Sequence, residues 1–439
     1  MEQIEHHKER IGERTAGGVY YGWVIVAVCF VVIALVSPVL GSFSVFYVAV
    51  LREFNWSRGG TAIAMSIYLL VSGATGPLAG ALVDRFGPRR TLPFGALITA
   101  AALVGLSSAT QLWHFYVGFG IVAAMGSAML SAVPLLAIVS RWFERRRGTA
   151  MGIVSAGQGG GQLLLMPIQQ LIGSVGWRGA YLALAAAVLI VPTALVSLLL
   201  YGRPEERGLS VDDEWKKENA GATARRSEVV ILNCSWAETE WTLRRAAGTF
   251  RFWALTLVMA LFAAGFFQVS THLVAFLTDK GYSAQLAALV LGVQGFVNVI
   301  GKFAGGWLAD RIGRERTITT SVALFVICIA LLNLAGLVIS ASIVFIFAIF
   351  YALGSGITLP ALAASAADLF QGKHFGAIFG AITLGGLSGG AVGAWLGGFL
   401  FDLTKDYRAN FLVAAAAMLI SAFLIWLARP GGVRVLKYV

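Results

Sequence analysis

The sequence predicts an all-α integral membrane protein of twelve transmembrane helices arranged as two six-helix halves. Three observations predict it. Of 439 residues, 58% are hydrophobic and only 13% charged, too little charge to keep a soluble chain of this length in solution. Apolar stretches long enough to cross a bilayer recur along nearly the whole chain. One long polar segment divides them six and six, and matching sequence stands on either side of it.

The spans are expected near 20–50, 60–83, 91–109, 112–140, 148–174, 179–201, 250–278, 284–309, 317–338, 341–369, 375–401 and 409–428. Several exceed the roughly 20 residues a crossing needs, so tilt or extension beyond the lipid is expected. Glycine, 52 residues in all, is spread through them. In lipid, small residues let helices approach closely. The chain then divides into a cytoplasmic N-terminal segment 1–19, a first half 20–201, a linker 202–248, a second half 249–428 and a tail 429–439. The linker mixes Arg203, Arg207, Lys216, Lys217, Arg225, Arg226, Arg244 and Arg245 with acids; part of it is compatible with a surface helix, and nothing in it specifies a folded domain. Met1 to Gly18 is charged and mixed in sign, unlike a cleaved signal peptide, so the first span is expected to remain.

Charge sets the orientation. With the N-terminus inside, 26 Lys and Arg residues fall on the inner side and six on the outer, the bias expected of cytoplasmic loops. Both termini are therefore expected in the cytoplasm and the chain in a cell inner membrane. The same bias explains the net charge of +11 without a nucleic-acid partner. Cys29, Cys234 and Cys328 have no metal or redox spacing, and neither a metal nor a cofactor is expected.

The two halves repeat. After the second span stands Gly80-Ala-Leu-Val-Asp84-Arg85-Phe-Gly87-Pro-Arg89-Arg90; after the eighth, Gly306-Trp-Leu-Ala-Asp310-Arg311-Ile-Gly313-Arg314-Glu-Arg316. Asp84 and Asp310 are 226 residues apart; Arg178 and Arg408, which open the sixth and twelfth spans beside an aromatic residue, are 230 apart. Two matches at nearly one offset indicate a duplicated six-helix unit. Physically, Asp and Arg at a helix end can pair with neighbouring helices and latch one conformation, with Gly87 and Gly313 making the tight turn. On this reading Asp84, Arg85, Arg89, Asp310 and Arg311 form conformational latches. The alternative is a solvated turn that only fixes topology.

This loop resembles the signature of the major facilitator superfamily, whose fold it implies. Two shorter segments are similar to the monocarboxylate transporter and oxalate–formate antiporter branch: Tyr20-Tyr21-Gly22-Trp23, and Arg141-Trp142-Phe143-Glu-Arg145-Arg146-Arg147-Gly148 continuing to Gly152, Ala156 and Gly157. The superfamily resemblance covers the whole chain; that of the branch rests on these segments.

Acidic residues are placed at helix ends or loops, with none near the centre of a span, which argues against cationic substrates. The basic exception is Lys302, about two turns before Asp310, where a charge in lipid costs about 2.5–3.5 kcal/mol unless solvated or paired. Asn298 lies four residues earlier on the same helix face. The resemblance implies that a cation here meets a substrate carboxylate; the branch usually has Arg, and Lys302 offers a point charge in place of a planar fork. The competing reading is a side chain that snorkels to the headgroups or to Asp310. His272, beside Gln268 and Thr271, is the one titratable residue of the seventh span away from its ends and a candidate for carrying a proton. Lys302 itself is the other candidate. Tyr351 in the tenth span and Gln158 and Gln162 in the fifth complete the candidate substrate-binding residues; for Asn298, His272, Gln158 and Gln162 the alternative is helix packing, and for Tyr351 a place in lipid. The eleventh span has no Lys or Arg after Lys373, where the oxalate–formate type carries a second cation, so a monoanion is favoured over a dicarboxylate.

These readings point to a secondary carrier of a small organic anion, a monocarboxylate such as lactate or pyruvate, moved by alternating access with proton coupling an option. The lipid bilayer and the anion are the expected partners, and the carrier is expected to be a monomer. Efflux of a larger hydrophobic compound is the alternative, but the glycines of the fifth span come early, at 157–161, and its proline, Pro167, follows a methionine. A sensor would carry an output domain, and no nucleophile–base–acid set points to an enzyme.

Overall fold

The computed structural model describes residues 20–143, 146–209, 211, 227–372 and 374–438. The N-terminal segment, much of the linker, and Arg145 and Lys373 among the counted cations lie outside them. Among the described residues eleven helices are long and apolar enough to cross a membrane. They are α1 (Tyr21–Phe54), α2 (Arg58–Phe86), α3 (Pro88–Ser107), α4 (Leu112–Val139), a run Thr149–Leu199, α7 (Phe250–Asp279), α8 (Ala284–Ile312), α9 (Arg314–Ala335), α10 (Ala341–Phe370), α11 (Phe375–Thr404) and α12 (Arg408–Gly432). The run of 51 residues holds two crossings, α5 (149–175) and α6 (177–199), because Gly176 between them leaves helical geometry at φ 76°. All twelve expected crossings are thus present.

Local chemistry sets the breaks. Pro38 lies inside α1, and the helix is interrupted at Ser42, four residues on. Ser57, Thr249 and Ser283 cap α2, α7 and α8 by accepting from backbone N–H groups three residues on, which satisfies donors a helix start leaves unpaired. Gly87 and Gly313, the repeated turn glycines, sit at φ 78° and 90° between α2 and α3 and between α8 and α9. That left-handed geometry is strained for any residue with a Cβ, so glycine is required by the turn itself.

The helices before the linker and those after it meet along two seams. At one, Ser66 of α2 donates to the Ala391 carbonyl of α11 at 2.6 Å. At the other, α5 and α8 cross backbone to backbone: a Cβ on Gly159 would run into the Gly295 carbonyl. The end of the bundle where α1 begins and α12 ends is the termini end. There Gly76 and Gly80 of α2 and Gly376 and Gly380 of α11 face no other side chain within 4 Å.

The sequence reading missed the order in the second part of the linker. Strand β1 (Ser227–Ile231) pairs antiparallel with β2 (Arg434–Tyr438) of the tail, Val229 opposite Leu436. Two short helices follow, Cys234–Ala237 and Leu243–Ala247. Trp236 donates to the Leu369 carbonyl at 2.7 Å, and Trp241 packs edge-on against Phe370. This part of the linker is built onto the termini end of α7, α10 and α12.

Candidate functional site

Lys302 projects from α8 across the seam to α5. Its Nζ donates to Gln158 Oε1 at 3.3 Å, and the side chain is half-buried. The carboxylate the snorkelling reading offered it, Asp310, is engaged by Arg314 at 2.6 Å. Lys302 thus has an amide oxygen and, among the described residues, no acid. A neutral acceptor neutralises no charge, so the amine is available to an anion. Gln158 is exposed, and its backbone carbonyl accepts from Ser37 of α1 at 3.1 Å. Elements α1, α5 and α8 therefore converge on one polar crossing point.

The other candidates divide. Asn298, one turn from Lys302, turns to α10, donating to Ser355 Oγ at 2.8 Å and the Ala352 carbonyl at 3.4 Å. Gln162 is wedged between Gly41 of α1 and Gly295 of α8, its amide 3.5 Å from the Ser37 carbonyl; it packs the seam. Tyr351 is buried, stacked on Phe266, and donates to the Phe266 carbonyl at 2.7 Å. It ties α10 to α7 and does not join Lys302.

His272 is also remote from Lys302. It lies seven residues from the end of α7 and Lys302 eighteen from the start of α8. At the helical rise this separates them by roughly 16 Å along the bundle. The buried imidazole has Nε2 2.9 Å from the Ala394 carbonyl of α11 and Nδ1 3.4 Å from the Tyr47 hydroxyl of α1. Its companion Gln268 donates to the Asn410 carbonyl at 3.1 Å; the Thr271 hydroxyl is buried without a partner.

Beyond His272, the end of the bundle opposite the termini is closed by charges that sequence reasoning had placed at helix ends or in loops, together with Tyr47, Phe401 and Tyr407. The Arg58 guanidinium pairs with Asp279 at 2.6 Å, bonds the Tyr407 hydroxyl and lies 3.8 Å over the Phe401 ring. The Asp402 carboxylate accepts from the backbone N–H of Arg58 at 3.0 Å and of Gly59 at 2.7 Å, neutralising the positive start of α2. Tyr47 donates to the Arg58 carbonyl at 2.9 Å. Every one of these contacts except the last joins the two helix sets.

The repeat gives the signal that could have found them. Asp279 stands 226 residues after Glu53, and Tyr407 stands 230 after Trp177. Glu53 is satisfied within its own set by Trp177 Nε1 at 2.5 Å and Arg178 at 2.7 Å. In the second set Arg408 is 70% exposed and, among the described residues, its ion pair is with Asp406 at 3.5 Å. Asp279 is thereby left to a cation from the other set.

At the termini end, Asp84 pairs with Arg141, past the end of α4, at 2.5 Å, and Asp310 with Arg314, which also holds Asp368 of α10 at 2.8 Å. Each motif carboxylate meets a cation of its own set. Arg85 lies over the Phe86 ring and Arg311 over Trp307, while Arg89 donates to the Leu200 carbonyl at 2.7 Å. Arg141, Arg314 and Asp368 are the partners that the motif alone did not reveal.

The profile of the Major Facilitator Superfamily matches residues 23–351 and 289–437. The chain is 30% identical over 402 residues to monocarboxylate transporter 13 of Rattus norvegicus, covering 91% of this chain and 87% of that protein. It is 29% identical over 432 residues to human monocarboxylate transporter 11, covering 92% and 82%. A solved bacterial homologue of the human lysosomal transporter Spinster, inward-facing and occupied, has a TM-score of 0.69 at 14% identity over 94% of this chain and 97% of its own. The nucleoside transporter NupG has a TM-score of 0.71 at 12% identity over 93% and 100%; such likeness concerns the fold. On this match and these relatives the chain belongs to the Major Facilitator Superfamily, as a multi-pass membrane transporter related to the monocarboxylate transporters and not an enzyme.

Proposed function

We propose that the protein carries a small monocarboxylate anion by alternating access, with Lys302 receiving the carboxylate at the crossing of α5 and α8. The observation that carries this reading is the Lys302 amine, held at 3.3 Å by the Gln158 amide and, among the described residues, by no carboxylate. A carboxylate is the stronger acceptor and displaces the amide; a second negative charge would find no second cation in α11. The relatives' names, monocarboxylate transporters, agree with this substrate class.

The two six-helix halves rock about the site. In the state seen here the Arg58 cluster closes one mouth, and release of the substrate proceeds toward the termini end. The cation bias of the loops makes that end cytoplasmic, in a cell inner membrane. Proton coupling is assigned to Lys302: the protonated amine holds the anion and the neutral amine releases it. His272 is assigned to closure, since both its ring nitrogens face groups of the far end.

Counterflow of labelled lactate, pyruvate, formate and oxalate in proteoliposomes tests the reading. The monoanions are expected to exchange and oxalate not. Lys302→Gln should abolish exchange with the protein still in the membrane, and Lys302→Arg should retain part of it. Normal exchange by Lys302→Gln would sink the proposal.

A further inference from the structure

A second cationic cluster lies at the termini end, apart from Lys302. It is built where α3 starts, where α6 ends and on the turn Pro204–Arg207. The guanidinium carbon of Arg89 is 4.0 Å from the centre of the Tyr201 ring, and that of Arg207 is 4.9 Å from the same centre. Arg207 also lies 3.9 Å over Tyr21, whose hydroxyl donates to the Leu199 carbonyl at 2.8 Å. The two charges therefore stand within one Debye length, about 10 Å, of each other. Neither has a carboxylate partner among the described residues. Of the two acids on the turn, Glu206 accepts from the Gly202 N–H at 3.3 Å, and Glu205 is exposed with no ion pair to either guanidinium. Hydrogen bonding to Arg89, and then the fields of Arg89 and Arg207, lower the Tyr201 phenol from its ordinary value.

The fold does not require this accumulation. The position repeating Arg89 is Glu315, 226 residues on, and it performs the same tie with opposite chemistry: its carboxylate accepts from Gly431 N–H at 2.8 Å. In both halves the start of the third helix is bound to the end of the sixth, but only the first half does so with a cation beside a second cation.

The surroundings select the kind of anion. Along α3, Arg90, Phe94 and Leu97 follow at i, i+4 and i+7, one helix face, and all are exposed. Phe94 is 56% and Leu97 52% exposed, and on α6 Leu198, three residues before Tyr201, is 71% exposed. An exposed apolar lane thus runs along α3 from Arg90, the chain neighbour of Arg89, and Leu198 adds an exposed apolar side chain near the end of α6. A soluble anion would use only the charged end; an anionic amphiphile uses both.

We propose that Arg89, Tyr201 and Arg207 form the headgroup site of an anionic phospholipid in the leaflet at the termini end, with Arg90 at its rim and an acyl chain along Phe94, Leu97 and Leu198. Arg89 stands two residues past the Gly87 turn and five past Asp84, so the bound phosphate holds the α2–α3 turn against the end of α6.

The full-length protein in phosphatidylcholine nanodiscs, with and without phosphatidylglycerol, tests this by native mass spectrometry of retained lipid. The wild type is expected to retain phosphatidylglycerol over phosphatidylcholine, less so at high salt. A surface Arg contributes about a fivefold preference for anionic lipid. Arg207→Gln, on an exposed turn whose loss leaves the bundle intact, should lose about that factor, and Arg89→Gln with Arg207→Gln about twenty-five-fold. Arg89→Lys with Arg207→Lys should keep most of the preference, because charge and not side-chain packing sets it. An undiminished preference in the Gln variants overturns the site. Displacement of the lipid by inorganic phosphate at matching concentration overturns the lipid reading in favour of a soluble anion.

Discussion

Replacing Arg58 by Gln should unlock the closed mouth without disturbing the substrate site. The substitution removes the ion pair to Asp279, the bond to Tyr407 and the stacking on Phe401, and leaves the backbone N–H groups that Asp402 holds. Arg58 is 17% and Asp279 39% exposed, so the pair stands between a surface pair, worth about 0.2–1 kcal/mol, and a buried one, whose breaking costs about 3–5 kcal/mol. A charge-assisted bond of about 2 kcal/mol is the fitting value, and the cation–π contact adds about 0.5 kcal/mol at such exposure. Since about 1.4 kcal/mol is a factor of ten, the equilibrium between the closed and open mouth should move by about thirty- to sixtyfold. The assay is a cysteine placed at Gln158 and a membrane-impermeant maleimide added from the side opposite the termini. While the open state is the minor one, the labelling rate follows its population and should rise by the same factor. Arg58→Asp combined with Asp279→Arg should bring the rate back toward the starting value, which loss of packing alone would not do. A rate unchanged by Arg58→Gln would refute the assignment of this cluster as the closing contact.

Three further outcomes are expected. His272→Gln should still accumulate substrate with a proton gradient, at altered speed, since its ring meets Tyr47 of the closing cluster and the Ala394 carbonyl and lies remote from Lys302; loss of gradient-driven uptake with exchange intact would return the proton to His272. Asp84→Asn and Asp310→Asn should lower turnover more than apparent affinity, because both lie remote from Lys302 and bias conformations; Asp310→Asn should be the milder, since Asp368 continues to pair with Arg314, and equal exchange rates in both variants and the wild type would reduce the motif to a turn. Deleting residues 434–439 removes the strand opposite β1, and a lone five-residue strand does not persist; the segment 227–231 should become accessible to protease, and unchanged resistance would show that the ribbon contributes nothing.

All twelve crossings were legible in the sequence, because each must present an apolar surface to lipid and satisfy its backbone internally, and both requirements are local. The turns at Gly87 and Gly313 were legible for the same reason: a left-handed residue is demanded by the adjoining chain alone. Lys302 stood out because a cation within an apolar run is costly wherever the run packs. Partnership was not legible. Asn298 and Lys302 share a helix face and were grouped by spacing, yet one faces α10 and the other α5; a few tens of degrees about the helix axis separate two neighbours. His272 and Lys302 both read as candidate substrate-binding residues and alternative proton carriers, although their places along the antiparallel α7 and α8, seven residues from the end of one and eighteen from the start of the other, already set them at different depths. Arg58, Asp279 and Asp402 read as loop charges because their meeting depends on how the two helix sets lean together, a contact between residues 221 and 344 positions apart that no local pattern encodes. The sequence determined which segments enter the membrane and which charges stand at their ends; tertiary structure decided which of those charges meet, because the energy of an ion pair falls with distance and burial, and both are properties of the packed bundle.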